Sequence, residues 1–270
     1  MLKLNNQIIE LGKFPDGTLH MQLETIPSDI NSQLISWYYE NDAELFALIC
    51  IVDTLRSRYG LRKKIILDLP YIPHSRMDRT KSNSDVFTLK CFADVINSLN
   101  FEKVYVYDPH SSVSTALIDR ICVQNHRWII EHAMHKIVDR TLNPNLMLFY
   151  PDEGAMKRYS EMLKLPYCFG IKKRDWVTGK ILGLDLAGPV EDIAGKNVLI
   201  IDDICSRGGT FLHSARRLKE VGAEDIYLFV SHCENTILQG ELLDGDLVKR
   251  VYTTDSIFTA EHPKIEVFKI

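Results

Sequence analysis

Five short apolar-rich runs limit what this chain can fold into, because each stops at a residue that a buried strand would not choose. Lys64–Leu69 (KIILDL) runs into Pro70, and Lys103–Tyr107 (KVYVY) into Asp108. Leu146–Tyr150 (LMLFY) runs into Pro151-Asp152, Val198–Ile201 (VLII) into Asp202-Asp203, and Ile226–Val230 (IYLFV) into Ser231-His232. Runs of this length are strands rather than helices. Amphipathic stretches lie between them at Val86–Ser98, Ala155–Leu163 and Thr210–Val221, the last stopped by Gly222. Strands alternating with helices predict an α/β fold, with parallel sheets and crossover helices. Such sheets bind ligands at the carboxyl ends of their strands, where these acids and histidines stand.

The pattern runs twice, so the expectation is two tandem domains, residues 1–140 and 141–270. The break is set near Asp139–Asn145 (DRTLNPN), where Asn-Pro-Asn interrupts regular structure. A length of 270 residues accommodates two such cores. Net charge is −4 and the pI about 6.1, which gives no reason to expect nucleic-acid or anionic-membrane partners. A bound phosphate needs a local site instead. The six cysteines contain no C-x-x-C pair, and the expected setting is the reducing cytoplasm. The first residues, MLKLNNQIIELGKF, lack the apolar core of a signal peptide, and no run reaches membrane-spanning length.

The densest chemistry is VLIIDDICSRGGT, residues 198–210. Its loop, Ser206, Arg207, Gly208, Gly209 and Thr210, leads into a helix. Amide N–H groups at a helix start, beside a glycine turn, make an anion site. Thr210 is expected to cap that helix and to donate to a phosphate oxygen. Asp202 and Asp203 would repel the phosphate itself, so they face something else. Adjacent carboxylates accept hydrogen bonds from vicinal sugar hydroxyls. The residues therefore read as a sugar-phosphate site.

This stretch resembles the phosphoribosyl diphosphate (PRPP) motif shared by type I phosphoribosyltransferases and ribose-phosphate pyrophosphokinases. Other segments are similar to the pyrophosphokinases in order and spacing: Phe14-Pro15-Asp16-Gly17, Glu40–Leu45 (ENDAEL), Leu69–Arg79 (LPYIPHSRMDR), Asp108-Pro109-His110, Pro151–Gly154 (PDEG) and Lys172-Lys173-Arg174. The resemblance implies two tandem type I phosphoribosyltransferase-like domains. It implies ATP binding by Phe14, Asp16, Arg76, Asp78, Arg79 and His110, with Phe14 and Asp16 reaching adenine from a neighbouring subunit of a homo-oligomer, a dimer or hexamer. It implies Mg²⁺ held by His110 and Asp152, and catalysis by Lys172 and Arg174 on a loop, Asp175–Lys180, that closes over the reaction. The expected reaction moves the β,γ-diphosphate of ATP to the anomeric hydroxyl of ribose 5-phosphate, giving PRPP and AMP. Phosphoryl-type transfer of this kind depends on positioned cations and metal.

Three departures mark a divergent member. Thr18 stands where the family usually has Glu, Arg207 where it usually has Thr, and the chain ends at Ile270 where relatives continue into a helix. Arg207 suits an acceptor whose 5-phosphate is a diester, such as ADP-ribose in NAD metabolism, which is kept as an alternative acceptor. A phosphoribosyltransferase that consumes PRPP, and a silent regulatory subunit, are the remaining alternatives. The first conflicts with the ATP-like segment Pro70–Arg79, the second with the retention of Lys172, Arg174, His110 and Asp152. The cluster Glu131–His135 (EHAMH) lacks the ligand spacing of known zinc sites.

Overall fold

The computed structural model describes residues 1–24, 32–60, 63–137, 145–174 and 181–270. The chain divides into two compact units, Met1–Asn125 and His126–Ile270.

The first unit opens with β1 (Leu2–Leu4), β2 (Gln7–Ile8), β3 (Leu11–Lys13), β4 (Leu19–Met21) and β5 (Ser32–Trp37). Helix α1 (Ala43–Tyr59) leads to β6 (Lys64–Asp68), α2 (Thr88–Ser98), β7 (Lys103–Tyr107), α3 (Ser112–Leu117) and β8 (Ile121–Gln124). The sheet order is β2-β1-β5-β6-β7-β8, with β5 to β8 parallel and β1 antiparallel to both its neighbours. β3 and β4 form a separate antiparallel hairpin. The core gathers Ile35, Trp37, Leu67, Val104 and Val106 from the sheet with Leu48, Leu55, Phe92 and Ile96 from α1 and α2.

The second unit runs α4 (Arg127–Ile137), β9 (Leu146–Tyr150), α5 (Glu153–Leu163), β10 (Tyr167–Arg174), β11 (Ile181–Ala187), β12 (Asn197–Cys205), α6 (Gly209–Glu220), β13 (Ile226–Cys233), β14 (Arg250–Thr254) and β15 (Ile265–Phe268). The seven strands lie in the order β11-β10-β9-β12-β13-β14-β15, all parallel except β11 against β10. Strand alternation splits β12 between two cores. Val198 and Ile200 face Phe211 and Ala215 of α6, while Leu199 and Ile201 face α4 and α5. A sheet covered on both faces explains why VLII and IYLFV are apolar throughout rather than alternating.

Two expectations shift. The units part at Asn125/His126 rather than near residue 140, because Ile129, Ile130, Ala133 and Met134 of α4 pack on Leu148, Leu199 and Phe229 of the second sheet. The expected break itself lies in residues 138–144, outside those described. The central strands also extend past their apolar runs. β12 continues through both acids to Cys205 because its ladder with β13 persists, Ile204 opposite His232 and Cys205 opposite Cys233.

Candidate active site

The sugar-phosphate motif occupies one strand end, one turn and one helix start. β12 carries Asp202 and Asp203, Ser206 and Arg207 turn the chain, and α6 begins at Gly209. The helix N-cap is Gly208, at φ +78°, not Thr210. Thr210 sits inside the first turn, so its hydroxyl is not the cap; its carbonyl accepts from the Ser214 hydroxyl at 3.0 Å. Gly208 has no side chain with which to cap the helix start. The first amides of a helix have no partner within it, and a Cβ placed on Gly209 would meet nothing within 4 Å. A helix start with a glycine at its cap, beside a glycine turn, suits an anion.

A remote segment braces this turn from behind. The hydrogen bond from Glu234 N–H to the Cys205 carbonyl, 2.8 Å, ties the ends of β12 and β13. The chain then returns so that a Cβ on Gly240 would overlap the Arg207 carbonyl oxygen. A Cβ on Gly208 would lie 2.7 Å from Leu242, and its left-handed backbone already favours glycine. The Arg207 side chain is exposed, and among the described residues its guanidinium has no partner.

The two acids differ. Asp203 is 4% exposed and shares its face of β12 with Leu199 and Ile201; there α5 supplies Arg158, whose Nη1 lies 3.1 Å from Asp203 Oδ2. Asp202 keeps part of its surface open, and its Oδ1 accepts from the Asp203 N–H at 3.0 Å. Desolvation by the surrounding protein pushes the Asp202 carboxyl well above the ordinary carboxylate value, and the charges of Asp203 and Asp152 push the same way. Asp152 therefore stands near this pair. It caps α5, its Oδ1 accepting from the Ala155 N–H at 3.1 Å. Lys172 and Arg174 lie on β10, their backbones paired with Leu184 and Ile181. The expected closing loop, Asp175–Lys180, lies outside the described residues.

In the first unit the loop after β6 brings Asp78 and Arg79 together. The carboxylate accepts from Arg79 Nε at 2.8 Å and from Nη2 at 3.2 Å. The Arg79 guanidinium holds the Asp78 carboxyl below its usual range against the opposing pull of burial, with His110 near enough to add to it. Arg76 is exposed on the same loop. His74 (φ 62°) and Asp108 (φ 38°) hold left-handed backbones at two of these loops, and His74 Nε2 lies 3.0 Å from Asp42 Oδ1 at the start of α1. Phe14 and Asp16 sit on the β3–β4 hairpin and make their side-chain contacts within it. Phe14 packs edge-on to His20, and Asp16 accepts from both the N–H and the hydroxyl of Thr18. Thr18, the departure from the family's Glu, thus anchors Asp16.

Mg²⁺ prefers oxygen ligands and takes few from protein when it travels with phosphates. Among the described residues no group of three or more His, Cys, Asp or Glu side chains could hold an ion. The Asp152 carboxylate and the His110 imidazole, one in each unit, are each of a donor type that can bind a divalent cation. In α4, His132 packs edge-on against Phe268.

Sequence reading missed Arg158, Gly240 and Leu242. Each acts on a partner more than thirty residues away, and nothing in the local pattern of α5 or of residues 240–242 marks them.

The chain matches the family model described as phosphoribosyl transferase domain over residues 157–262, which spans β12, the turn and α6. It is 32% identical to the ribose-phosphate pyrophosphokinase of Pyrococcus abyssi over 229 residues, 83% of this chain and 75% of the relative. The ribose-phosphate pyrophosphokinase of Thermococcus kodakarensis is 28% identical over 230 residues, 83% of this chain and 77% of the relative. The crystal structure of phosphoribosylpyrophosphate synthetase from Mycobacterium smegmatis superposes with a TM-score of 0.75 at 18% identity, over 97% of this chain and 86% of that one. That likeness shows the same α/β fold of parallel sheets flanked by helices.

Proposed function

The chain belongs to the ribose-phosphate pyrophosphokinase family, and from that premise we propose that it transfers the diphosphate of ATP to ribose 5-phosphate. The anomeric oxygen bonds to the β-phosphorus, the bond from that phosphorus to the α,β-bridging oxygen breaks, and AMP leaves with the bridging oxygen. The hydroxyl proton passes to solvent. The residues divide by unit: Phe14, Asp16, Arg76, Asp78, Arg79 and His110 for the nucleotide, and residues 152–210 for the acceptor and the transfer.

The observation that carries this reading is β12 running through two carboxylates into a glycine turn and a glycine-capped helix start. Asp202 and Asp203 accept from the vicinal ribose hydroxyls. The turn from Ser206 to Thr210 takes the terminal phosphate on the α6 amides and the Thr210 hydroxyl. Lys172 and Arg174 are the cations for charge developing on the transferred group, the kind of stabilisation such transfers depend on. His110 and Asp152, one in each unit, are the proposed Mg²⁺ ligands, and the metal would supply charge neutralisation for the triphosphate. Holding both reactants in line supplies much of the remaining acceleration.

A second reading keeps the chemistry and changes the acceptor to ADP-ribose. The exposed Arg207 guanidinium, without a partner among the described residues and on a backbone packed close to Gly240, supports this reading as a cation for a second phosphate. AMP release, with mass spectrometry of the products, decides between them when ATP is paired with each acceptor in turn. Ribose 5-phosphate turnover without ADP-ribose turnover leaves the first reading. The reverse result installs the second, and release with neither removes both. The homo-oligomer, dimer or hexamer, is part of the proposal and is read by light scattering. The cytoplasm is its expected compartment, in keeping with six free cysteines.

A further inference from the structure

Asp203 raises a problem that its role at the site does not solve. A carboxylate 4% exposed at a strand end loses its hydration and needs a partner of opposite charge. The partner comes from another element. Arg158 extends from the second turn of α5 to place Nη1 3.1 Å from Asp203 Oδ2. The guanidinium is itself held. It lies over the Tyr159 ring at 5.7 Å, and that ring stacks on Tyr150 at 6.2 Å and meets His126 edge-on at 6.1 Å. A planar cation on a fixed aromatic floor loses little further freedom when it pairs.

We propose that Arg158 is a positioning residue, which fixes the Asp203 carboxylate so that the ribose of the acceptor meets it in one orientation. The inference rests on the ribose-phosphate reading above. Arg158 acts through Asp203 and touches neither the transferred phosphates nor the nucleotide. Its loss therefore weakens acceptor binding and leaves ATP binding alone.

The test is steady-state AMP release by the full chain, varying the acceptor at saturating ATP and then the reverse. It compares wild type, Arg158→Met, Arg158→Lys, Asp203→Asn and the Arg158→Met/Asp203→Asn double variant, each checked for a cooperative thermal transition. Arg158→Met should raise the acceptor KM by about tenfold to a hundredfold, as loss of one partner of a desolvated charge pair does, with the KM for ATP unchanged. Arg158→Lys, which keeps the charge but not the planar fork, should restore most of the loss. The double variant should be no worse than Asp203→Asn alone, because the two side chains act as one unit. An unchanged acceptor KM in Arg158→Met, or losses that multiply in the double variant, would overturn the proposal while leaving the enzyme reading intact. Should Arg158→Met not fold, Arg158→Gln takes its place: a tenfold or larger rise in acceptor KM at constant ATP KM supports the proposal, and a wild-type value ends it. A wild-type chain inert with every acceptor removes the functional reading, and this inference with it.

Discussion

Each unit keeps one nearly buried acid beside an arginine, and the two pairs are built on opposite plans. Asp78 and Arg79 are chain neighbours, joined by two hydrogen bonds, and the arginine side chain is 71% exposed. Asp203 and Arg158 come from different elements, and that arginine is largely enclosed on aromatic rings. A local pair forms without closing a loop, and its exposed cation can swing toward a ligand at small cost. A remote pair is assembled only when the sheet and α5 have packed, so it reports on the fold and holds its carboxylate still. The loops follow the same division. The first unit's loop is stiffened by its own prolines, Pro70 and Pro73, and the second unit's turn by residues 240–242. The first unit's pair and loop are locally organised, and the second unit's are globally organised.

The most forceful way to break that contrast is Gly240→Ala. The added Cβ would overlap a backbone carbonyl, which cannot rotate away as a side chain could. The variant should lose about 3 kcal/mol of stability, the upper part of the range for overpacked sites, together with acceptor binding. Chemical denaturation and acceptor KM measure the two effects. Wild-type values for both would mean that the turn stands without its brace.

The next effect is a difference in sign between two acids. Asp202 is held above its ordinary pKa, so ionising it opposes folding, and the wild type loses stability as pH rises from near 3.8 through the raised value. Asp202→Asn should therefore melt higher than wild type at pH 7, with the gap closing on acidification, while catalysis falls. Asp78 is held low, so it contributes stability above its unfolded pKa and loses that contribution as pH drops through the folded one. Asp78→Asn should melt lower at pH 7, with the gap closing below the usual carboxylate range. Melting curves across pH 3 to 8 on the two variants check both signs; gaps of the same sign would erase the contrast.

The smallest effect sharpens it. Arg79→Ala removes an exposed cation and should change the melting temperature little, while raising the KM for ATP if the loop binds nucleotide. A large stability loss would mean that the first pair is as structural as the second.

The strands β7 and β9 coincide with their apolar runs, and α2, α5 and α6 lie within two residues of their amphipathic stretches. Those elements declare themselves through spacing alone. Helix α1 does not, because its core side, Ala47, Leu48, Ile51, Val52 and Leu55, sits among further apolar residues such as Phe46 and Ile49 that blur the stripe. β15 is a short edge strand and β14 a short strand between it and β13, and pairing rather than composition makes them strands. Asp202, Asp203 and the glycine turn were legible because contiguous residues build them. The position of the cap was not, since Gly208 takes it by adopting a left-handed backbone that sequence does not display. Arg158 and Gly240 were illegible for a plainer reason: their meaning lies in what the fold sets opposite them.

The assignment of α4 has a practical consequence. A clone that starts at residue 141 would synthesise the second unit without the helix that shelters Leu148, Leu199 and Phe229, leaving greasy β-sheet open to solvent. One that starts at His126 carries its own cover, and is the frame in which to express that half by itself.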